Sequence, residues 1–407
     1  MERHEIKRLG HQGDGIAPGP VFAPLTLPGE VVDGTRDGAR LDDVKIVTPS
    51  PHRVAPPCRH FKSCGGCLLQ HASDDFVAEW KQDVVRTALE SQGLEAEFRP
   101  MHTSPPRSRR RAGLSARRTK KGAIAGFHGR ASGTIVEIPD CQLVHPDLLP
   151  ALAFAQRLAI LGGSRKGELS VMVTRTLNGL DIAVTGGKSL DGPLRLALAQ
   201  EAEAAGLARI AWEDEVIATR MPPTQRLGRA EVSPPPGAFL QATEDGEAAL
   251  LAGVAQAVGD AARVVDLFAG CGTFSLPLAE RAEVTAIEGD AEMLRALDGG
   301  WRMAQGLKKV TTRPRDLFRN PLMADELARF DAAVIDPPRA GAAAQVAELA
   351  QSDLPVVAMV SCNPVTFARD ARVMVEAGWR LDWVKVVDQF RWSPHVELVA
   401  RLTAPHI

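Results

Sequence analysis

Beyond Pro234-Pro235-Pro236-Gly237 the chain alternates helical and extended segments, and this alternation narrows the fold more than any other feature. The pattern reads as helix over about 244–258, strand over Arg263–Leu267, helix from Thr273, strand over Glu283–Glu288 and helix from Ala291. It continues with strand Phe330–Asp336, helix 341–351, strand Val356–Ser361, helix 365–377 and two late strands near 383–388 and 396–402. Strands separated by helices pair in parallel through right-handed crossovers, which gives an α/β, Rossmann-like, doubly wound sheet.

Three segments are expected along the 407 residues, roughly two to three times the length of a common domain. Residues 1–55 carry short apolar runs broken by Gly and Pro and read as several short strands, closed by the proline-rich stretch Pro49 to Pro57. Residues 56–235 mix strand-like and helix-like pieces, an α+β central segment, and residues 236–407 form the α/β domain. Within the central segment, Phe76, Val77, Trp80, Val84, Val85, Ala88 and Leu89 line one face of an amphipathic helix, 74–92, with Ser73 or Asp74 as its cap. That face is available to pack on the C-terminal domain.

No apolar run reaches the ~18 residues that cross a bilayer, and Met1-Glu2-Arg3-His4-Glu5 is too charged for a secretory signal, so a cytoplasmic, membrane-free, monomeric protein is expected. The net charge of -2 does not point to nucleic acid. Local charge does: Arg107, Arg109, Arg110, Arg111, Arg117, Arg118, Lys120 and Lys121 occur with no acid among them. A solvated loop would have the same composition; a phosphate contact over Arg107–Lys121 is the functional alternative.

The first strand of the α/β domain runs into Asp266-Leu267-Phe268-Ala269-Gly270-Cys271-Gly272-Thr273, where glycines let the backbone approach a ligand at the carboxyl end of the sheet. The next strand ends at Glu288, placed to accept from ribose hydroxyls, and one strand further Asp316 lies where an adenine contact is expected. Residues from about 240 to 407 resemble the class I S-adenosylmethionine methyltransferases, although nicotinamide dehydrogenases share this much of the pattern.

Two further strand ends carry Asp336-Pro337-Pro338-Arg339 and Ser361-Cys362-Asn363-Pro364 at the same rim. An Asp-Pro-Pro turn also serves amino-group methyltransferases, and a lone cysteine is most often a packing residue. A thiolate adding to carbon 6 of uracil, however, makes carbon 5 nucleophilic, and a base must then remove the carbon-5 proton; Glu397, in His395-Val396-Glu397, is the candidate. These motifs, with Phe239-Leu240-Gln241-Ala242, resemble the RNA 5-methyluridine methyltransferase family. The resemblance implies Cys362 as nucleophile, Glu397 as proton acceptor, and Gln241, Phe268, Thr273, Glu288 and Asp336 as cofactor contacts. Thr273 stands where the family often has asparagine and Arg391 where it often has proline.

Cys58, Cys64 and Cys67, with Cys141 further on, suit a tetrahedral zinc, a four-iron cluster or, for Cys64 and Cys67, a redox pair. The resemblance implies a [4Fe-4S] cluster on these four, and leaves Cys271 as a turn or packing residue. Methyl transfer is redox neutral, so a structural or RNA-contacting role is expected for the cluster. Gly13-Asp14-Gly15-Ile16-Ala17 and Leu27-Pro28-Gly29-Glu30-Val31-Val32 resemble TRAM, a small oligonucleotide-binding-type β-barrel. The family resemblance points to 23S ribosomal RNA before transfer RNA as substrate. A non-catalytic iron-sulfur RNA-binding protein is the contrasting reading, and it predicts loss of Cys362 or Glu397; both are present.

Overall fold

A computed structural model describes residues 1–405. Its largest sheet has eight strands, in the order Val310–Pro314, Glu283–Glu288, Arg263–Leu267, Ala332–Ile335, Val356–Ser361, Glu397–Thr403, Arg380–Asp388 and Glu97–Thr103. The first five are parallel, Glu397–Thr403 runs antiparallel between its neighbours, and Glu97–Thr103 lies parallel to Arg380–Asp388 at the edge. Strand Val356–Ser361 is buried along its whole length, the continuous apolar run demanded of a strand covered by helices on both faces.

The helix caps fall beside the chemistry. Thr243 caps helix Glu244–Val258 by accepting from the Gly246 N–H at 3.1 Å, and Asn363 caps helix Pro364–Glu376 by accepting from the Val365 N–H at 3.1 Å. Pro364 takes the first turn of the second helix, where no amide donor is needed. Gln241 and Cys362 are thereby held in short connections whose backbone is fixed by the helix that follows.

Residues 74–103, counted with the central segment in the sequence reading, attach to the C-terminal layers. Helix Asp74–Glu90 packs against helix Pro364–Glu376, and Val85, Ala88, Leu89 and Leu94 join the core under the eight-stranded sheet. The valine and the two leucines each contribute ~1.5–3 kcal/mol when fully buried. The rest of the central segment builds a separate seven-stranded sheet, ordered Ile135–Val136, Ala123–His128, Arg111–Arg118, Leu169–Thr176, Gly179–Thr185, Arg209–Trp212 and Glu215–Thr219. Helices Ala151–Gly162 and Gly192–Ala204 cover it around Phe154, Leu158, Leu198 and Trp212.

The N-terminal residues form a six-stranded sheet ordered Glu2–Glu5, Val31–Asp37, Arg40–Thr48, Val21–Ala23, Gly15–Ala17 and Arg8–Leu9. Its first and last strands are successive in the chain, joined through Ile6 and Lys7, whose N–H groups donate to Glu30 and Ile16 carbonyls at 2.8 and 2.9 Å. Ile6, Ala17, Val21, Ala23, Val32 and Leu41 fill its interior. No helix among the described residues is long and apolar enough to cross a membrane.

Candidate active site

At the carboxyl ends of the parallel strands lies a cavity of about 710 Å³ lined by Gln241, Phe268, Thr273, Glu288, Asp336, Cys362 and Glu397, among others. Seven of the sequence-derived candidates thus meet on one surface. The eighth does not: the Asp316 carboxylate accepts from the Phe318 and Arg319 N–H groups at 3.0 and 3.3 Å, closing a local turn outside the cavity lining. A neighbouring cleft of about 740 Å³, which shares Thr273, holds neither Cys362 nor Glu397, and its Arg110 and Arg175 are already paired with Glu247, Asp147 and Glu244.

The turn after strand Arg263–Leu267 shapes one end of the cavity. Phe268 holds a left-handed φ of 63°, a conformation that costs a non-glycine residue ~1 kcal/mol or more and is found where neighbours over-determine it. Gly272, at φ 95°, cannot be replaced without strain, since a Cβ there would meet Leu297 at 2.8 Å. Glu288 is aimed by two backbone donors, Gly270 N–H at 3.1 Å and Asp290 N–H at 3.0 Å. Asp290 in turn caps helix Ala291–Met303, accepting from the Glu292 and Met293 N–H groups.

The other end is acidic and dry. Burial, then the neighbouring Asp266, pushes the Asp336 carboxyl up to about 7. Burial, then Asp336, pushes Glu397 up to about 8, opposed by a hydrogen bond from Gln389. Burial, then the charges of Glu397 and Asp336, raises the Cys362 thiol to about 11, with Arg339 pulling the other way. Asp336 thus raises Glu397, and both raise Cys362, so a positive charge entering this end favours the ionised form of each.

Gln389 was not singled out as a site residue from sequence. Its Nε2 donates to Glu397 Oε2 at 3.0 Å and to Gln241 Oε1, its Oε1 accepts from the Ala242 N–H at 2.7 Å, and Gln241 Nε2 reaches Asp336 Oδ2 at 3.4 Å. Phe239, Met293 and Arg339 also line the cavity. Phe239 and Arg339 lay inside motifs, and Gln389 in the stretch Asp388 to Leu398 that supplied Glu397, though without a role of its own; nothing local marked Met293. Cys271, read as a packing residue, is buried with its Sγ 3.1 Å from Met293 Sδ, and it also lines the cavity.

The basic stretch divides. Arg110 is buried, donating to Glu247 and to the Gln241 carbonyl at 3.0 Å, and so leaves the set of phosphate contacts. The cause is register: Arg110 enters strand Arg111–Arg118 facing the C-terminal domain, where desolvating a guanidinium demands a carboxylate partner. Arg107 and Arg117 donate to Gln142, and to Gly133 and Glu168. Lys120 and Lys121 stand exposed in the turn beyond the strand.

Cys64, Cys67 and Cys141 share one buried cluster with Phe61, and Cys58 is near enough to raise all three by its charge. Burial is the larger cause and pushes Cys67 to about 12. The N–H groups of Gly66 and Leu143 each donate to a thiol sulfur, of Cys64 and Cys141, at 3.4 Å. Among the described residues no three Cys, His, Asp or Glu side chains converge tightly enough to chelate a single metal ion. The cysteine segment also touches the loop that leads to Glu397: the Trp392 carbonyl accepts from the Leu68 and Leu69 N–H groups at 2.8 and 3.0 Å.

Comparison with known proteins adds matches to a family, to three relatives and to a solved structure. A family model described as tRNA (uracil-5-)-methyltransferase matches residues 302–404. RNA methyltransferases of Caulobacter vibrioides and Rhizobium meliloti are 47% and 45% identical, with 99% and 98% of this chain covered and 100% and 98% of theirs. A 23S rRNA (uracil(1939)-C(5))-methyltransferase of Halomonas elongata is 35% identical over 98% of this chain and 89% of its own. Among solved structures, Pyrococcus abyssi tRNA (uracil-54, C5)-methyltransferase with S-adenosyl-L-homocysteine shares the fold, with a TM-score of 0.74, 23% identity, and 98% and 99% of the two chains covered.

Proposed function

The chain belongs to the RNA uracil-C5 methyltransferase family, and from that premise we propose that Cys362 and Glu397 are its nucleophile and base, acting on a uridine of 23S ribosomal RNA. The single observation that carries this reading is that both side chains line one cavity with Glu288 and Asp336.

Bound S-adenosylmethionine supplies an electrophilic methyl on a cationic sulfonium, and carbon 5 of the target displaces the neutral thioether from it. Glu288 is set to accept from the ribose hydroxyls, Phe268 and Thr273 line the cofactor's end of the cavity, and Gln241 and Asp336 face its reactive end. Burial favours the protonated Cys362 thiol, and the incoming positive charge with Arg339 favours its thiolate. The thiolate forms a bond to carbon 6 as the carbon 5–carbon 6 double bond opens and its electrons pass to the carbon-4 carbonyl oxygen. After the methyl is in place, the Glu397 carboxylate takes the carbon-5 proton. The freed electron pair restores the double bond and the bond from Cys362 to carbon 6 breaks, returning the thiolate. A uracil within a helix hides carbon 6, so the target is a loop or flipped-out nucleotide.

Cys58, Cys64, Cys67 and Cys141 are proposed as ligands of a [4Fe-4S] centre. The donor set fits: four thiols gather around one buried site, two with backbone N–H···S contacts of the kind that tune such clusters, and a four-iron centre spreads its ligands wider than one ion does. Redox chemistry is not needed for methyl transfer, so the centre's role here is architectural. The N-terminal sheet, with its first and last strands continuous, is proposed as the TRAM-type barrel that grips RNA, with Lys120 and Lys121 adding phosphate contacts. Ribosomal RNA is preferred over transfer RNA because the full-length relative at 35% identity acts on 23S rRNA, whereas the transfer-RNA enzyme shows the fold alone.

Nucleoside mass spectrometry of ribosomal and transfer RNA from a strain lacking the gene tests the assignment. Loss of 5-methyluridine from 23S rRNA is expected; an unchanged content in every RNA class rules the reading out.

A further inference from the structure

Among the described residues, Gln389 is the only side chain hydrogen-bonded to both Glu397 and Gln241, which line the cavity. It comes from the connection between strands Arg380–Asp388 and Glu397–Thr403, and it is 1% exposed. Each polar atom of its amide is used: one N–H to Glu397, one to Gln241, and the oxygen to the Ala242 N–H. An amide saturated in this way has a fixed orientation, because turning it over would set its oxygen against the Glu397 and Gln241 oxygens.

We propose that Gln389 is a positioning residue for proton removal, splinting the base Glu397 to the cofactor-facing Gln241 and committing one oxygen of its carboxyl, so that the other faces carbon 5. This inference rests on the assignment of Glu397 as base. The surroundings explain why such a splint is required. Glu397 faces Asp336 from the end of strand Ala332–Ile335 and the Cys362 thiol from the end of strand Val356–Ser361. Asp336 disfavours a carboxylate there, while Arg339 acts on Cys362 and on His395, a histidine that burial holds below its usual value. The Gln389 donor is the one group opposing burial and Asp336 at Glu397. Removing it raises the proton affinity of the base and frees its orientation together.

The test uses the full-length protein with Gln389→Met, which keeps the volume and deletes both donors, and Gln389→Glu, which keeps an acceptor for the Ala242 N–H and adds a negative charge. Methyl transfer to RNA is followed against pH, alongside adduct formation with RNA carrying 5-fluorouridine, a step in which Glu397 takes no proton. The acidic limb of the rate profile is expected to move up by about one pH unit in Gln389→Met and further in Gln389→Glu, a ~10-fold loss on the limb that recovers in alkali. Adduct formation and S-adenosylhomocysteine binding stay near wild type in both. A uniform fall at every pH, or profiles that superimpose on wild type, overturns the inference. Absence of a fluorouridine adduct in the wild-type protein overturns instead the covalent reading beneath it, and the two failures are told apart in one experiment.

Discussion

The ammonium of Lys81, on helix Asp74–Glu90, donates at 2.6 Å to the carboxylate of Asp388, 307 residues further along, with both side chains closed off from solvent. A second bond from the same nitrogen, 3.2 Å long, reaches the Phe390 carbonyl, and Asp388 also accepts from the Phe390 N–H at 3.0 Å. Burial draws the Lys81 pKa down and Asp388 draws it back. Lys81→Met leaves Asp388 charged and unpaired, at a cost of ~3–5 kcal/mol. Urea unfolding checks this, and the Lys81→Met, Asp388→Asn double variant recovers part of the loss because no buried charge is left alone; strictly additive losses argue that the two residues do not act as a pair.

Cys362→Ala abolishes methyl transfer while S-adenosylmethionine affinity stays within about twofold of wild type, as expected of a group that acts on the reacting base. Calorimetric titration paired with methyl incorporation measures both. Equal loss of binding and turnover points to a folding role for the thiol.

Glu397→Gln blocks the release step and leaves the addition and methylation steps in place. Incubated with unmodified RNA and S-adenosylmethionine, this variant accumulates a protein–RNA adduct that survives denaturing electrophoresis, whereas wild type clears it. A Glu397→Gln enzyme that turns over at the wild-type rate removes Glu397 from the mechanism.

Asp266 and Asp336 are each raised to about 7 and Glu397 to about 8, with burial the first cause in every case. Their unfolded values lie near ~4, so the folded state binds protons more tightly and the stability this supplies, complete below ~4, is lost as pH rises through about 7 to 8. Without cofactor the melting temperature is therefore expected to be higher near pH ~6 than near pH ~8.5. S-adenosylmethionine, which is cationic, offsets the alkaline loss more than the neutral S-adenosylhomocysteine does. Equal protection by both ligands at the higher pH refutes a charge origin.

Purified under anaerobic conditions, the protein is expected to hold about four irons per chain, with Cys141→Ala losing them. Hydrogen exchange then quickens at Leu68 and Leu69, whose amides hold the Trp392 carbonyl. Iron retained in Cys141→Ala excludes that residue as a ligand.

What could be read from sequence divides along a physical line. Cys362, Asp336, Glu288 and Phe268 were legible because a parallel sheet sends the end of every strand to one rim, so a strand-end motif carries its position with it. Asp316 follows a strand end too, yet its short side chain satisfies the amides of its own turn, a local competition that the strand pattern does not encode. Arg110 sat in an unbroken run of cations, and only the pairing of its strand reveals that it faces Glu247 across a domain boundary. Gln389 stands in the stretch that supplied Glu397, yet nothing in that stretch assigns it a role. Its role arises from two partners, Gln241 and Glu397, that the fold alone brings together.

Strand Glu97–Thr103 closes the edge of a sheet whose adjoining strand, Arg380–Asp388, comes far later in the chain. During translation the early strand must wait with its backbone donors and acceptors unmatched until that later strand has emerged. The catalytic domain is accordingly not a unit that recombination could transplant from residue 236 onward: such a fragment carries a bare strand ready to pair with its own copies. Whatever substitutions accumulate in the N-terminal half, its seven-residue contribution ties its inheritance to that of the C-terminal half.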